Sequence, residues 1–211
     1  LGIKPLWYRN SEELVQFSSE IRPLLKPGVA KLTNQALSEF LSFGRMPGTG
    51  QIFDKIQSIP PGSWVKFEKN AKVTRGCWWP NAKMNPLQFQ NRSACVKKVN
   101  QLLITSVEEH LISDVGVGAF LSGGIDSSII TLVAGKTLGK KLQTFTIGFP
   151  QGDFDERAIA DKVAKKAGST HYELEIAPET CLDWVKDAVL KLDLPSVDAI
   201  NTYIVSKAFK G

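Results

Sequence analysis

The octapeptide Leu121-Ser122-Gly123-Gly124-Ile125-Asp126-Ser127-Ser128 concentrates the residue types that could handle a phosphate. Glycines 123 and 124 let the backbone come close to an anion. A helix that starts here would aim its first amides, which have no acceptor inside the helix, at phosphate oxygens. Ser122, Ser127 and Ser128 add hydroxyl donors. Asp126 is the odd member, because a carboxylate repels phosphate. It fits if it holds a magnesium ion that the phosphates also bind, since Mg2+ prefers carboxylate and phosphate oxygens. For Ser-Gly-Gly alone, a plain turn with an Asp or Ser helix cap is the alternative. The loop has no Gly-Lys-Ser/Thr, which excludes the Walker-type arrangement.

Such a loop needs a strand before it and a helix after it. The apolar run Val115 to Leu121 supplies the first, and the helical spacing of Ile129, Ile130, Val133, Ala134 and Leu138 supplies the second. The same alternation continues. A helical stripe of Val96, Val99, Leu103, Val107 and Leu111 lies within 87–112. Strand 116–121, helix 126–138, strand 142–148, helix 155–168, strand 170–176, helix 179–192 and helix 199–209 follow. Strands separated by amphipathic helices predict an α/β fold built on a doubly wound parallel sheet. Ligands of such sheets bind beyond the carboxyl ends of strands. The loop after Leu121 and the Ile147-Gly148 turn both lie at such ends.

Residues 1–80 follow a different pattern. Leu6 to Arg9 and Leu14 to Ser18 suit short strands, and Glu20 to Leu25 suits a helical turn that Pro27-Gly28 ends. Thr33 suits a helix N-cap, with Ala36, Leu37, Phe40 and Leu41 on one face. Met46 to Gly50 reads as a loop. Ser63 to Phe67 and Ala71 to Trp78 read as a hairpin around Glu68-Lys69-Asn70. Trp78-Trp79 suits core or interface packing better than base stacking. The chain therefore divides into 1–80, a linker at 81–86 and 87–211.

The octapeptide resembles the Ser-Gly-Gly-x-Asp-Ser pyrophosphate loop of N-type ATP pyrophosphatases, which have an adenine nucleotide alpha hydrolase-like fold. Its flanks narrow the resemblance to glutamine-hydrolysing asparagine synthetases and related amidotransferases. These flanks are Ser113 to Leu121, Thr144 to Phe149, Phe154-Asp155-Glu156-Arg157-Ala158 and Thr170-His171-Tyr172-Glu173. Upstream, Leu1 to Tyr8, Phe17 to Leu25 and Pro60-Pro61-Gly62-Ser63 resemble the later part of that family's α+β class II glutaminase (Ntn-hydrolase) domain. The match departs at Gly116, where the family usually has proline. The segment Asp193 to Tyr203 is unlike that of the best-known asparagine synthetases and is similar to a branch of asparagine-synthase-like amidotransferases whose acceptors are often unknown.

The resemblance implies ATP and Mg2+ as cofactors, with an acceptor carboxylate, aspartate or another, adenylated as pyrophosphate leaves. Glutamine-derived ammonia then displaces AMP. The loop Leu121 to Ser128 would hold the phosphates, Asp126 the metal, and Leu121, Ile147 and Gly148 the adenosine. The side chains of Leu121 and Ile147 equally suit strand packing. Asp155 and Glu156 suit the cap of the following helix, with the ATP site as the alternative. His171 suits a structural role, and His110 has no evident partner. Ser196, Asp198 and Asn201 fall in the acceptor region, or form a turn and helix cap. The glutaminase nucleophile and the family's second synthetase motif would lie outside this chain, so this piece alone is expected to be inactive. A lactam or amide synthetase acting on another carboxylate, and a non-catalytic nucleotide-binding remnant, are the rival readings.

Composition limits the partners. Of 211 residues, 43% are hydrophobic and 22% charged, enough for a globular core. The net charge of +5 comes from 26 basic and 21 acidic residues that are scattered, with short clusters at Lys97-Lys98, Lys140-Lys141 and Lys165-Lys166. These suit solvated helix faces and argue against nucleic acid, while a mild positive field favours an anionic substrate. Cys77, Cys95 and Cys181 have no metal-binding or Cys-x-x-Cys spacing. They read as buried or half-buried free thiols of a reducing compartment. With no signal peptide and no apolar run of about 18 residues, the expectation is a cytoplasmic protein without membrane contact, acting on small molecules. A homodimer is the one macromolecular partnership left open.

Overall fold

A computed structural model describes residues 2–11, 14–25, 31–46, 51–68, 72–79, 89–148, 155–194 and 196–209. The expected linker at 81–86 and Pro27-Gly28 lie outside the described residues. So do most of the 46–50 loop and the tip of the hairpin. The chain forms two compact units, one of Leu1–Asn85 with Ala188–Asn201, the other of Pro86–Asp187 with Thr202–Gly211.

In the first unit, β1 (Trp7–Asn10), β2 (Val15–Ser18), β3 (Gln51–Phe53) and β4 (Ile56–Ser58) make an antiparallel sheet of order β2-β1-β4-β3. Trp7 stands opposite Ser18 on one side and Ser58 on the other. A 3-10 turn covers Arg22–Leu24. Helix α1 (Asn34–Phe43) starts where Thr33 Oγ1 accepts the Ala36 amide at 3.2 Å and ends at left-handed Gly44. The hairpin appears as β5 (Ser63–Phe67) and β6 (Val73–Cys77), with Ser63 opposite Cys77.

Trp7, Ile21, Leu24, Ala36, Met46, Ile52 and Ile56 form the core of this unit, with Phe40 and Leu194 packed on it. Only Ala36 and Phe40 of the expected α1 face turn inward, while Leu37 and Leu41 are exposed. The face is a narrow i, i+4 row rather than a broad stripe. Strands β3 and β4 were not expected. Each has three residues, too few to display alternation, and the turn between them runs through a non-glycine left-handed residue, Lys55 (φ 66).

In the second unit, α2 (Arg92–His110) leads to β7 (Gly118–Phe120), α3 (Ile125–Leu138), β8 (Gln143–Gly148), α4 (Arg157–Ala167) and β9 (Thr170–Glu175). The three strands are parallel in the order β7-β8-β9, with Phe120, Phe145 and Tyr172 in register. Ala119 packs with Val133, Ala134 and Leu138 of α3. Leu121, two residues on and therefore on the same side, packs with Ala160 and Ala164 of α4. Both crossovers thus cover one face. The other carries Phe120, Phe145 and Tyr172, with Phe209 at 4.7 Å from Phe145.

The parallel sheet agrees with the sequence. The reversal of strand order that double winding requires does not occur among the described strands. Small residues bring α3 and α4 together: a Cβ on Gly135 would fall 2.4 Å from the Ala167 carbonyl. Of the expected α2 stripe, Val107 and Leu111 are packed, with Ile104 beside them rather than Leu103, which is half-buried, while Val96 and Val99 are exposed. A second 3-10 turn, Gly139–Lys141, links α3 to β8, and two further helices, α5 (Pro178–Lys191) and α6 (Val197–Ala208), follow β9.

Candidate functional site

The glycine loop sits between the carboxyl end of β7 and the start of α3. Leu121 anchors its upstream end. Its side chain is buried against α4, its amide donates to Phe145 O at 2.9 Å, and its carbonyl accepts Thr146 Oγ1 at 2.5 Å. The packing alternative for the Leu121 side chain is therefore the one the structure displays, and its N–H is committed to the sheet.

Gly123 has φ +81, and a Cβ there would lie 3.0 Å from Glu156 O and 3.1 Å from Glu156 Cβ. Both the left-handed backbone and the closeness of the chain entering α4 demand glycine. Gly124 occupies the N-cap position of α3 and donates its amide to Ser122 Oγ at 3.3 Å. Ser122 Oγ lies 3.1 Å from Ser127 Oγ, which donates to Gly124 O at 3.2 Å.

The helical ladder begins with the Ser128 amide on Gly124 O at 3.0 Å. The amides of Ile125, Asp126 and Ser127 precede it, and no side chain caps them. Asp126 lies exposed in the first turn and has no hydrogen-bond or ion-pair partner among the described residues. The loop thus tightens itself with serine hydroxyls and leaves a row of amides and one carboxylate without a partner among the described residues. No group of three His, Cys, Asp or Glu side chains suited to a metal occurs among the described residues.

At the end of β8, Ile147 is half-buried and pairs with Leu174, and Gly148 pairs with Glu175. A Cβ on Gly148 would lie 2.2 Å from Arg157 Nε. With no side chain at Gly148, the Arg157 guanidinium crosses the strand end directly over the backbone. Arg157 Nε reaches both Asp155 oxygens at 2.8 and 2.9 Å, Nη2 reaches Asp155 Oδ2 at 2.7 Å, and Nη1 reaches Glu175 at 2.8 Å.

Arg157's fork holds the Asp155 carboxyl below the ordinary carboxylate range. Asp155 in turn, with Glu175 second, raises the affinity of the guanidinium for its proton. Asp155 Oδ1 also accepts the first amide of α4 at 3.1 Å, so it caps as expected, while the Glu156 side chain makes no cap bond. Sequence reasoning missed Arg157. Its partners are set by strand register, and its only local signal is the adjacent acidic pair.

Beside it, Arg157, Ala158, Asp161, His171 and Glu173 line an open cleft of about 510 Å³. His171 Nδ1 meets Thr144 Oγ1 at 2.9 Å, and Nε2 lies 3.2 Å from Glu173, in keeping with a structural role. His110 Nδ1 lies 2.7 Å from Ser106 O of its own helix.

Ser196, Asp198 and Asn201 belong to the first unit. Ser196 Oγ accepts the Ala199 amide at 3.3 Å, so Ser196 acts as the helix cap of its alternative reading, and Asp198 and Asn201 are exposed at the start of α6. The three cysteines are free. Cys95 and Cys181 are half-buried, but Cys77 is exposed, its Sγ 2.7 Å from Trp79 O. That corrects the expectation for Cys77, which sits exposed at the last residue of the hairpin strand β6. Trp78 and Trp79 are also exposed and meet edge to face. No helix among the described residues is long and apolar enough to cross a membrane.

A parallel α/β unit with unfilled amides at a strand's carboxyl end defines a protein of the class that receives ligands at strand ends and helix starts. The family model for asparagine synthase matches residues 98–211, just over half of the chain, and the chain belongs to that family. The glutamine amidotransferase domain model matches residues 1–79. Asparagine synthetase [glutamine-hydrolyzing] 1 of Bacillus subtilis (strain 168) is 34% identical over 99% of this chain and 33% of its own length. Asparagine synthetase [glutamine-hydrolyzing] 3 of the same organism is 31% identical over 97% of this chain and 36% of its own length. Asparagine synthetase B [glutamine-hydrolyzing] of Escherichia coli (strain K12) is 32% identical over 54% of this chain and 23% of its own length. The chain thus spans about a third of the length of the Bacillus relatives it matches.

Proposed function

We propose that this chain carries the ATP-handling half-site of a glutamine-hydrolysing asparagine synthetase, a carbon-nitrogen ligase. In this reading 1–80 is the later part of a glutaminase domain, 81–86 a linker and 87–211 the start of a PP-loop synthetase domain with a doubly wound sheet. One observation carries the reading. The loop Ser122 to Ser128 keeps the amides of Ile125, Asp126 and Ser127 and the Asp126 carboxylate free, in a chain of the asparagine synthase family.

The free amides and the hydroxyls of Ser122, Ser127 and Ser128 bind the β- and γ-phosphates of ATP. They stabilise pyrophosphate as it leaves the α-phosphorus under attack by the aspartate carboxylate. Leu121, Ile147 and Gly148 border the adenosine. Mg2+ fits Asp126 because a single unpartnered carboxylate suits an ion that takes its other ligands from phosphate and water, and there it would neutralise phosphate charge. Ser196, Asp198 and Asn201 contact the acceptor, and ammonia from glutamine completes the amide.

The test uses the full-length gene product with ATP, Mg2+, glutamine and L-aspartate. Aspartate-dependent asparagine and pyrophosphate, both lost in Asp126→Asn, are expected. Intact glutaminase activity without aspartate-dependent turnover would move the assignment to another carboxylate acceptor.

A further inference from the structure

The segment that leaves α5 and enters α6 is held by two clips within the first unit, the first of them reciprocal. At one, both oxygens of Asp193 accept the Ile21 amide, at 3.0 and 2.8 Å, and Oδ1 also accepts the Arg22 amide at 3.1 Å. These amides open the Arg22–Leu24 turn, which has no side-chain cap of its own. A residue 172 positions away provides it. In return, Arg22 Nη2 donates to the carbonyls of Leu190 and Leu192, at 2.5 and 2.8 Å, where the end of α5 leaves acceptors unfilled. A base at the carboxyl end of α5 is the favourable polarity for that helix, while Asp193 acts on the turn through its amide hydrogen bonds.

At the second clip, the Val197 amide donates to Gly44 O at 3.0 Å, Ser196 bridges Arg45, and Val197 Cγ2 would lie 3.2 Å from a Cβ on Gly44. Between the clips Leu194 packs on the core with Trp7 and Ile21. Residues matched by the asparagine synthase family are thereby built into the unit formed mainly by residues matched by the amidotransferase family. Asp198 and Asn201 emerge exposed directly beyond the second clip.

We infer that Asp193, with Arg22, is a positioning residue for acceptor binding. It fixes the Ser196 to Asn201 segment on the Ile21–Leu24 turn, so acceptor affinity depends on the amidotransferase-like part even when no glutamine is used. The consequence for affinity rests on the acceptor assignment proposed above, whereas the clip itself does not.

The experiment compares full-length wild type, Asp193→Ala and Arg22→Lys, with ammonium chloride as nitrogen donor so that glutamine hydrolysis plays no part. The KM for L-aspartate is expected to rise on the order of tenfold in Asp193→Ala, and less in Arg22→Lys, with kcat and the KM for ATP within about twofold of wild type. An unchanged KM for aspartate in an active variant overturns the inference. Hydrogen exchange reads the clip whatever the acceptor is. The Val197 and Ala199 amides should exchange on the order of tenfold faster in Asp193→Ala, with β1 and β4 unchanged. Unaltered exchange at Val197 and Ala199 overturns the inference. Faster exchange in a protein whose wild type forms no asparagine would instead sink the aspartate assignment and leave the clip standing.

Discussion

Asp126 and Asp193 are the same side chain, each beside backbone amides at a helical start, one in its own helix and the other across the chain, and the fold uses them in opposite ways. Asp193 is filled, with three amide hydrogen bonds, next to a core that includes fully buried Trp7, Ile21 and Ile56. Asp126 is exposed and, among the described residues, has no partner, and the amides around it are likewise unfilled there. The difference lies in what surrounds them. Gly123, held left-handed against Glu156, turns the chain so that the start of α3 faces outward. The Arg22–Leu24 turn faces a returning segment of its own chain. A polar cluster satisfied internally adds stability; one left unsatisfied at the surface is available to a ligand.

The largest effect should separate the two carboxylates. Asp126→Asn is expected to lower kcat for pyrophosphate release on the order of 10²–10³-fold while leaving the melting temperature unchanged, since an exposed isostere disturbs no packing. Asp193→Ala should do the reverse to stability, costing about 1–3 kcal/mol by denaturant titration because two amides lose their acceptor, while turnover at saturating substrates persists. Equal losses of turnover from both would erase the distinction.

Gly123→Ala should sharpen it, combining left-handed strain with a Cβ 3.0 Å from Glu156 O. We expect about 1–3 kcal/mol of destabilisation and weakened ATP binding, measured by denaturant unfolding and by calorimetric titration of ATP. Gly135→Ala places a Cβ 2.4 Å from the Ala167 carbonyl, away from the loop. It should cost about 1–3 kcal/mol with the KM for ATP retained, which isolates α3–α4 packing from ligand binding.

The smallest effect concerns Asp155. Its folded-state pKa is depressed, first by Arg157, so its contribution is present above the unfolded pKa and is lost as pH falls through the folded value. The thermal stability of the wild type should decline as pH drops below about 4, and Arg157→Gln should flatten that decline. Carbon-detected NMR titration of Asp155 should show its pKa rising in the variant.

Sequence carried some of this further than the rest. The loop was legible because its requirements are local: a glycine for φ +81, a helix start, hydroxyls two to five residues away. The β7, β8 and β9 pattern was legible because each strand is followed or preceded by a helix of contrasting period. Strands β3 and β4 were not, being three residues each and joined through Lys55. The guanidinium crossing Gly148 could not be read, because Glu175 joins Arg157 only through the parallel register of β8 and β9. Asp193 was visible only as part of a divergent segment, since its partners lie 171 and 172 residues away. Burial along α2 was over-read: helical spacing at Val96 and Val99 marks the face of the helix but not what covers it.

The most direct test of the central claim is to follow ATP by phosphorus NMR in the full-length protein with Mg2+, glutamine and L-aspartate, for wild type beside Asp126→Asn. AMP and pyrophosphate are expected from the wild type, and unchanged ATP in the variant. ADP and inorganic phosphate from the wild type, or undiminished pyrophosphate from Asp126→Asn, would contradict it.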